Sequence, residues 1–140
     1  MNSSKTKDMF DLSGRVAVIT GGAGLLGVKH AEAIAEFGGI PVLADIDGKR
    51  AEQKAAEIVQ TYGTDSLGIR VDITDENDVK SLLKTVLERF EKVDILINNA
   101  AHNPKMEATS KTNWSRFEQF PVNIWNSDIS VGLTGAFLCS

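Results

Sequence analysis

The sequence predicts a doubly wound parallel α/β sheet, and three observations carry that prediction. Short runs rich in Val and Ile recur four times, at 15–20, 40–45, 67–72 and 93–98, with segments of helical periodicity between them. The runs are nearly continuously apolar rather than alternating, which is the pattern of parallel strands covered by helices on both faces. A glycine-rich turn, "TGGAGLLG" at 20–27, stands where the first run hands over to the first helical segment.

Taken in order, "RVAVIT" is the first strand and "VKHAEAIAEF" the body of the first helix. "IPVLAD" is the second strand, and Pro41 is tolerable near its start because a first strand residue need not donate a ladder hydrogen bond. Asp47 is the expected N-cap of the second helix, which presents Ala51, Ala55, Ile58, Val59 and Tyr62 on one face and stops at Gly63. "LGIRVD" follows as the third strand. Thr74 and the acidic turn "DEND" mark the start of a third helix, where negative charge suits the positive end of the dipole. Its Val79, Leu82, Leu83, Val86, Leu87 and Phe90 keep the i, i+3, i+4 spacing, with Lys80, Lys84 and Glu88 between them. "VDILIN" is the fourth strand, and the polar stretch from Ala101 to Phe120 reads as a loop. After Pro121, Ile124, Ile129, Leu133, Phe137 and Leu138 suggest a last helix running to the chain end, with Trp125 in the core. The expected organisation is a tail over 1–13 and one domain over 14–140.

Composition excludes several classes. Apolar residues make up 42% and charged residues 24%, values of a folded globular chain rather than a disordered or fibrous one. The net charge is −4 with Lys and Arg dispersed, so no nucleic-acid footprint is present. The single cysteine, Cys139, can form neither an intrachain disulfide nor a cysteine zinc site, and a reducing, cytoplasmic compartment is expected. No signal-peptide or membrane-spanning run is expected.

The glycine turn is the strongest chemical feature. At the first strand-to-helix turn of a parallel sheet, glycines allow a tight bend and close approach, while the helix N-terminus offers amide donors and positive dipole to a pyrophosphate. Gly21, Gly24 and Gly27 have that spacing, and Leu25 and Leu26 complete the turn. Asp45 closes the second strand 24 residues after Gly21, where a carboxylate accepts hydrogen bonds from both hydroxyls of an adenosine ribose, with Ile46 beside it. A 2′-phosphate would be repelled there, which favours NAD; Lys49 and Arg50 keep NADP as the lesser reading. Of the remaining polar residues, His102 reads as a solvent-facing loop residue that could alternatively reach a substrate, and His30 as surface. Trp114, Phe117 and Phe120 either cover a pocket or anchor their loop to the core.

In this order and spacing, Thr20-Gly21 with Gly27, Asp45, "VDITD" and "NNAA" (98–101) resemble the short-chain dehydrogenase/reductase family, from "GRVAVITGGAGLLG" onward. The resemblance implies a Rossmann-type fold cut after its fourth strand and part of the next helix. It implies that Asp72 bonds the adenine amino group with Ile73 beside the ring, and that Asn99, Ala100 and Ala101 line the cofactor. Asn98 is assigned a packing role, tying the fourth strand to its neighbours. The implied activity is NAD(H)-dependent hydride transfer between an alcohol and a carbonyl of a small molecule, such as a sugar, in a homo-oligomer.

The departures are specific. Gly24 stands one place before the usual middle glycine, a spacing that resembles sugar-nucleotide-modifying members. "NNAA" replaces "NNAG", and "VGLTG" puts Gly132 where the family often has a relay asparagine, with Ser130 offset by two residues. These features also resemble members associated with flagellin or surface-sugar modification. No Tyr-x-x-x-Lys pair is present, and the only tyrosine, Tyr62, belongs to the second helix. No catalytic residue is therefore assigned, and the chain alone is expected to be inactive and prone to associate. A non-catalytic nucleotide-binding module and a sugar-nucleotide epimerase or dehydratase are the alternative readings.

Overall fold

The computed structural model describes residues 9–102 and 117–140. Its strands are β1 (Val16–Thr20), β2 (Ile40–Asp45), β3 (Leu67–Arg70) and β4 (Ile95–Ile97). Helices α1 (Leu25–Glu36), α2 (Gly48–Tyr62) and α3 (Glu76–Phe90) alternate with them. After a short 3₁₀ turn at Phe117–Gln119, α4 (Val122–Ile129) passes into a π-helical stretch at Ser130–Gly135 and then α5 (Ala136–Cys139). The strands form one parallel sheet in the order β3-β2-β1-β4, so the chain reverses its direction of sheet growth between β1 and β4.

Side-chain alternation along β1 separates two core layers. Val16 and Val18 face one side, where Val42, Ala44, Val71 and Ile73 meet Leu82 and Val86 of α3. Ile19 faces the other, where Leu43 meets Ala31 and Ala35 of α1 and Ala51, Ala55 and Ile58 of α2. Helices thus cover both faces, and β1 is buried along its whole length. β3 and β4 are the sheet edges and are only half-buried.

Local chemistry sets the boundaries. Asp47 caps α2 by accepting a hydrogen bond from Arg50 N–H, and Gly63 ends the helix with φ of 71°. Pro41 occupies the second position of β2, and its missing N–H costs no bond. Ile40 N–H donates to Arg15 on the β1 side, so position 41 faces the side where pairing with β3 begins only at Val42. Asp94 joins the starts of β4 and β1: its carboxylate accepts from Val16 N–H at 2.9 Å and from Arg15 at 2.9 Å. The Val16 amide, then Arg15 and Lys92, hold its pKa down at about 2.

Several expectations need correction. α3 is capped by Asp75, whose carboxylate accepts from Asn77 and Asp78 N–H; Thr74 bonds back to Asp72 instead. Leu83 and Leu87 are 50% and 42% exposed, because they lie about 100° round the helix from buried Leu82 and Val86, beyond the width of its contact with the sheet. Val59 and Tyr62 lie similarly at the margin of α2. Trp125 is not core: it is 51% exposed on α4, along with Ile129, Leu133 and Phe137 further on. The expected last helix exists but is interrupted by the π-helical stretch, a deviation that periodicity cannot register. Among the described residues no helix is long and apolar enough to cross a membrane.

Candidate functional site

A cavity of about 920 Å³ opens beyond the C-terminal ends of the strands, at the point where the sheet order reverses between β1 and β4. Open parallel sheets bind ligands at this place, because the two connections leaving β1 and β4 diverge and leave a crevice. Its walls come from four segments. Gly21, Gly24, Leu25 and Leu26 follow β1; Asp45 and Ile46 end β2; Asp72 and Ile73 follow β3; Asn99, Ala100 and Ala101 follow β4. Of the residues expected from sequence to hold a cofactor, all but Gly27 line this one space.

Gly27 acts behind the wall. It is buried in the first turn of α1, where a Cβ would stand 2.1 Å from the Gly21 carbonyl oxygen and 2.8 Å from Gly22 Cα. Its hydrogen lets the helix close onto its own entry turn. Gly21 is needed for two reasons: its φ is +62°, and a side chain would meet Ala100 Cα at 3.0 Å. No side chain caps α1, whose N-cap is Gly24. The amides of its first turn have no intrahelical acceptor and remain available to an anion at the cavity wall.

The turn is held from both neighbouring strands. On the β2 side, one oxygen of Asp45 accepts from Ala23 N–H at 3.0 Å and the other from Asp47 N–H at 3.0 Å. On the β4 side, Asn99 Nδ2 donates to the carbonyls of Thr20 and Gly21 at 2.9 and 3.2 Å. The Thr20 hydroxyl, 1% exposed, accepts from the N–H groups of both Asn99 and Ala100 at 3.1 Å. Sequence reading gave the cross-strand tie to Asn98. The structure gives it to Asn99, while Asn98 is exposed and donates to Ser140 Oγ at 3.3 Å. Chain direction at the strand end decides which of two adjacent amides faces the neighbour.

At the β3 end, Asp72 is fixed by Thr74, whose hydroxyl donates to it at 2.6 Å and whose N–H donates at 3.0 Å. These bonds, the hydroxyl first, lower the Asp72 pKa below the usual carboxylate value. Ile73 supplies an apolar floor and is itself covered by Gly135, where a Cβ would lie 2.6 Å from Ile73 Cδ1. The π-helical stretch therefore packs directly behind the wall of the cavity.

Other lining residues were not assigned to the site from sequence. Ala44, Val71 and Thr74 flank expected positions, while Asn126, Ser127, Ser130 and Val131 come from α4 and the start of the π stretch. Their spacing of four, 126 with 130 and 127 with 131, puts them on one helical face, and that spacing was the available signal. His102, read first as a solvent-facing residue, also lines the cavity, and its Nδ1 lies 2.7 Å from Asp128 Oδ1. Phe117 is 86% exposed on the 3₁₀ turn and is not among the wall residues, and Trp114 lies outside the described residues. Gly132, at the position of the family's relay asparagine, is exposed with nothing within 4 Å of a Cβ there.

Comparison with known proteins agrees with this geometry. Residues 15–140 match the family model described as short chain dehydrogenase. An uncharacterized oxidoreductase of Thermotoga maritima is 37% identical over 129 residues, which cover 92% of this chain and 46% of that protein. Among solved structures, the NADPH-dependent 3-quinuclidinone reductase of Rhodotorula rubra superimposes with a TM-score of 0.79 at 29% identity, over 99% of this chain and 48% of that one. An NAD+-bound xylitol dehydrogenase gives 0.80 at 25% identity, over 91% and 46%. The chain thus spans about half the length of these relatives.

Proposed function

The chain belongs to the short chain dehydrogenase family, and from that premise we propose that it is the dinucleotide-holding part of an NAD(H)-dependent oxidoreductase acting on a small hydroxylated or carbonyl substrate. Residues 14–140 form its binding domain and residues 1–13 a tail. The observation that carries the proposal is the joint placement of an uncapped, glycine-walled helix start and the Asp45 carboxylate on one cavity, one strand apart.

The residues present fit such a cofactor. The open first-turn amides of α1 and its dipole favour a diphosphate beside Gly21 and Gly24, where a side chain on Gly21 would collide with Ala100. Asp45 spends one bond of each carboxylate oxygen on the backbone. The remaining lone pairs accept ribose hydroxyls, and the negative charge disfavours a 2′-phosphate. Asp72 accepts the adenine amino group while Ile73 packs against the ring. Asn99 keeps its side chain on the glycine turn and lines the cavity with Ala100 and Ala101. When bound, the nicotinamide supplies the hydride chemistry.

Two relatives bear on the cofactor in opposite senses, one described as NADPH-dependent and one as NAD+-bound. The charge of Asp45 at the cavity supports NAD here. The relative named for xylitol supports a polyol or sugar as substrate class. The proton donor of the reaction is not among these residues on this reading. The only tyrosine, Tyr62, ends α2 and does not line the cavity. On this reading the chain by itself binds cofactor without turnover, and the whole protein is a cytoplasmic homo-oligomer.

Calorimetric titration of NAD and NADP tests the proposal. NAD is expected to bind the wild type more tightly than NADP, and Asp45→Ala is expected to weaken NAD at least about tenfold, the worth of hydrogen bonds to a charged acceptor, while NADP, relieved of the opposing charge, loses less. Wild-type binding of NADP in preference to NAD overturns the cofactor assignment. Failure to bind either overturns the site.

A further inference from the structure

Besides the glycine turn and the carboxylates Asp45 and Asp72, the cavity wall carries a second polar set: Asn126, Ser127 and Ser130 line it together with His102. We infer that His102, oriented by Asp128, is a substrate-recognition residue whose Nε2 accepts a hydrogen bond from a hydroxyl of a neutral polyol-like substrate. This rests on the proposed function, since it assumes that a dinucleotide occupies the part of the cavity lined by the glycine turn, Asp45 and Asp72.

The argument begins with the pairing. His102 leaves the end of β4 and Asp128 sits near the C-terminus of α4, 26 residues later, and Nδ1 lies 2.7 Å from Oδ1. His102 lines the cavity whereas Asp128 is not among its wall residues, so the carboxylate supports the ring from behind. A carboxylate only accepts hydrogen bonds, so Nδ1 must carry the proton of this contact. In the neutral ring that leaves Nε2 as an acceptor. Ser127 Oγ donates its proton to Asn123 carbonyl at 3.0 Å, so it too keeps only lone pairs for a ligand. Acceptors of this kind match a substrate that donates, and a hydroxyl both donates and accepts. Among the described residues lining the cavity there is no Lys or Arg to meet an anion. The pair joins separate segments that meet only through the fold.

The chain has two histidines, His30 and His102, so long-range proton–nitrogen correlation spectra of the imidazole rings report each separately. In NAD+-saturated protein, xylitol as probe is expected to shift the Nε2 resonance of His102 and leave His30 unmoved. His102→Asn retains an amide donor for Asp128 but removes the Nε2 acceptor. It is expected to weaken xylitol about three- to tenfold, the worth of one hydrogen bond, with NAD+ affinity unchanged. Asp128→Asn is expected to abolish the single Nδ1–H tautomer and weaken xylitol likewise. A purely structural pair would be rescued by His102→Asn, so wild-type xylitol affinity in that variant overturns the inference. Bound NAD+ without any shift at His102 Nε2 overturns it as well, and gluconate binding more tightly than xylitol overturns the neutral class of substrate. Wild-type protein that fails to bind NAD+ removes the proposed function itself, a result distinct from loss of xylitol alone.

Discussion

Replacing Gly27 by Ala probes the claim that the entry turn of α1 is packed against itself. The new Cβ would lie 2.1 Å from the Gly21 carbonyl oxygen. Carbon and oxygen rarely approach within about 3.3 Å, so roughly 1.2 Å of movement must be found. The atoms in the way are all backbone, with Gly22 Cα at 2.8 Å and Gly21 carbonyl carbon at 2.9 Å, so no rotamer change relieves the contact. Moving the turn stretches two bonds on the same oxygen, from Gly24 N–H at 3.0 Å and from Asn99 Nδ2 at 3.2 Å.

Each of those bonds is worth about 1 kcal/mol net, and overpacking adds roughly 2 kcal/mol, while the better helix propensity of Ala returns about 1 kcal/mol. The expected loss is about 3 kcal/mol of unfolding free energy. Gly132→Ala is the control: nothing lies within 4 Å of a Cβ there, so propensity alone applies and stability rises by up to about 1 kcal/mol. Urea unfolding followed by far-ultraviolet circular dichroism measures both, read at unchanged slope. A Gly27→Ala protein within about 0.5 kcal/mol of wild type would refute the reasoning, because surface-like tolerance at this position is incompatible with a closed turn.

Two further perturbations follow. Thr20→Val keeps volume but removes the acceptor shared by the N–H groups of Asn99 and Ala100, so it is expected to cost about 1–3 kcal/mol in the same urea assay and to weaken NAD binding. Asp94→Asn tests the strand clip: because the folded pKa lies near 2, below the unfolded value, the Asp94 contribution is fully present above about pH 4. It is lost as pH falls through about 2, so the stability difference between wild type and Asp94→Asn narrows in melts taken across that window.

Sheet and helix positions were legible because caps and apolar runs are local. The run at 40–45 is β2 without adjustment, and Asp47 and Gly63 bracket α2 because a carboxylate cap and a left-handed glycine do their work within four residues. The cavity was legible for a related reason: its walls are strand ends and the turns after them, so order along the chain becomes adjacency in space. Features that depend on orientation were not. Asn98 and Asn99 differ by one step in a period of two, and only pairing of β4 with β1 decides which reaches Thr20. Leu83, Leu87 and Trp125 carry core-like side chains, and sequence cannot say how wide a contact the sheet offers. The His102–Asp128 contact spans two segments whose approach is tertiary.

The glycines of the turn divide their roles in a way the motif alone conceals. Gly21 and Gly24 face the cavity, while Gly27 faces only the backbone of the turn. A side chain at Gly27 therefore acts on the shape of the turn, and through it on any ligand, whereas one at Gly21 or Gly24 would also stand at the cavity wall. The turn is also bonded from β2 through Asp45 and from β4 through Asn99. A loop so held loses little further freedom on binding, and that saving is realised as affinity. Asp45 consequently serves twice, as the tether of Ala23 and as the acceptor for a ribose. Asp45→Asn separates the two roles: its amide oxygen can still accept from Ala23 while the bond from Asp47 N–H is lost, so stability falls by only about 1 kcal/mol, the charge that disfavours a 2′-phosphate is gone, and discrimination between NAD and NADP falls.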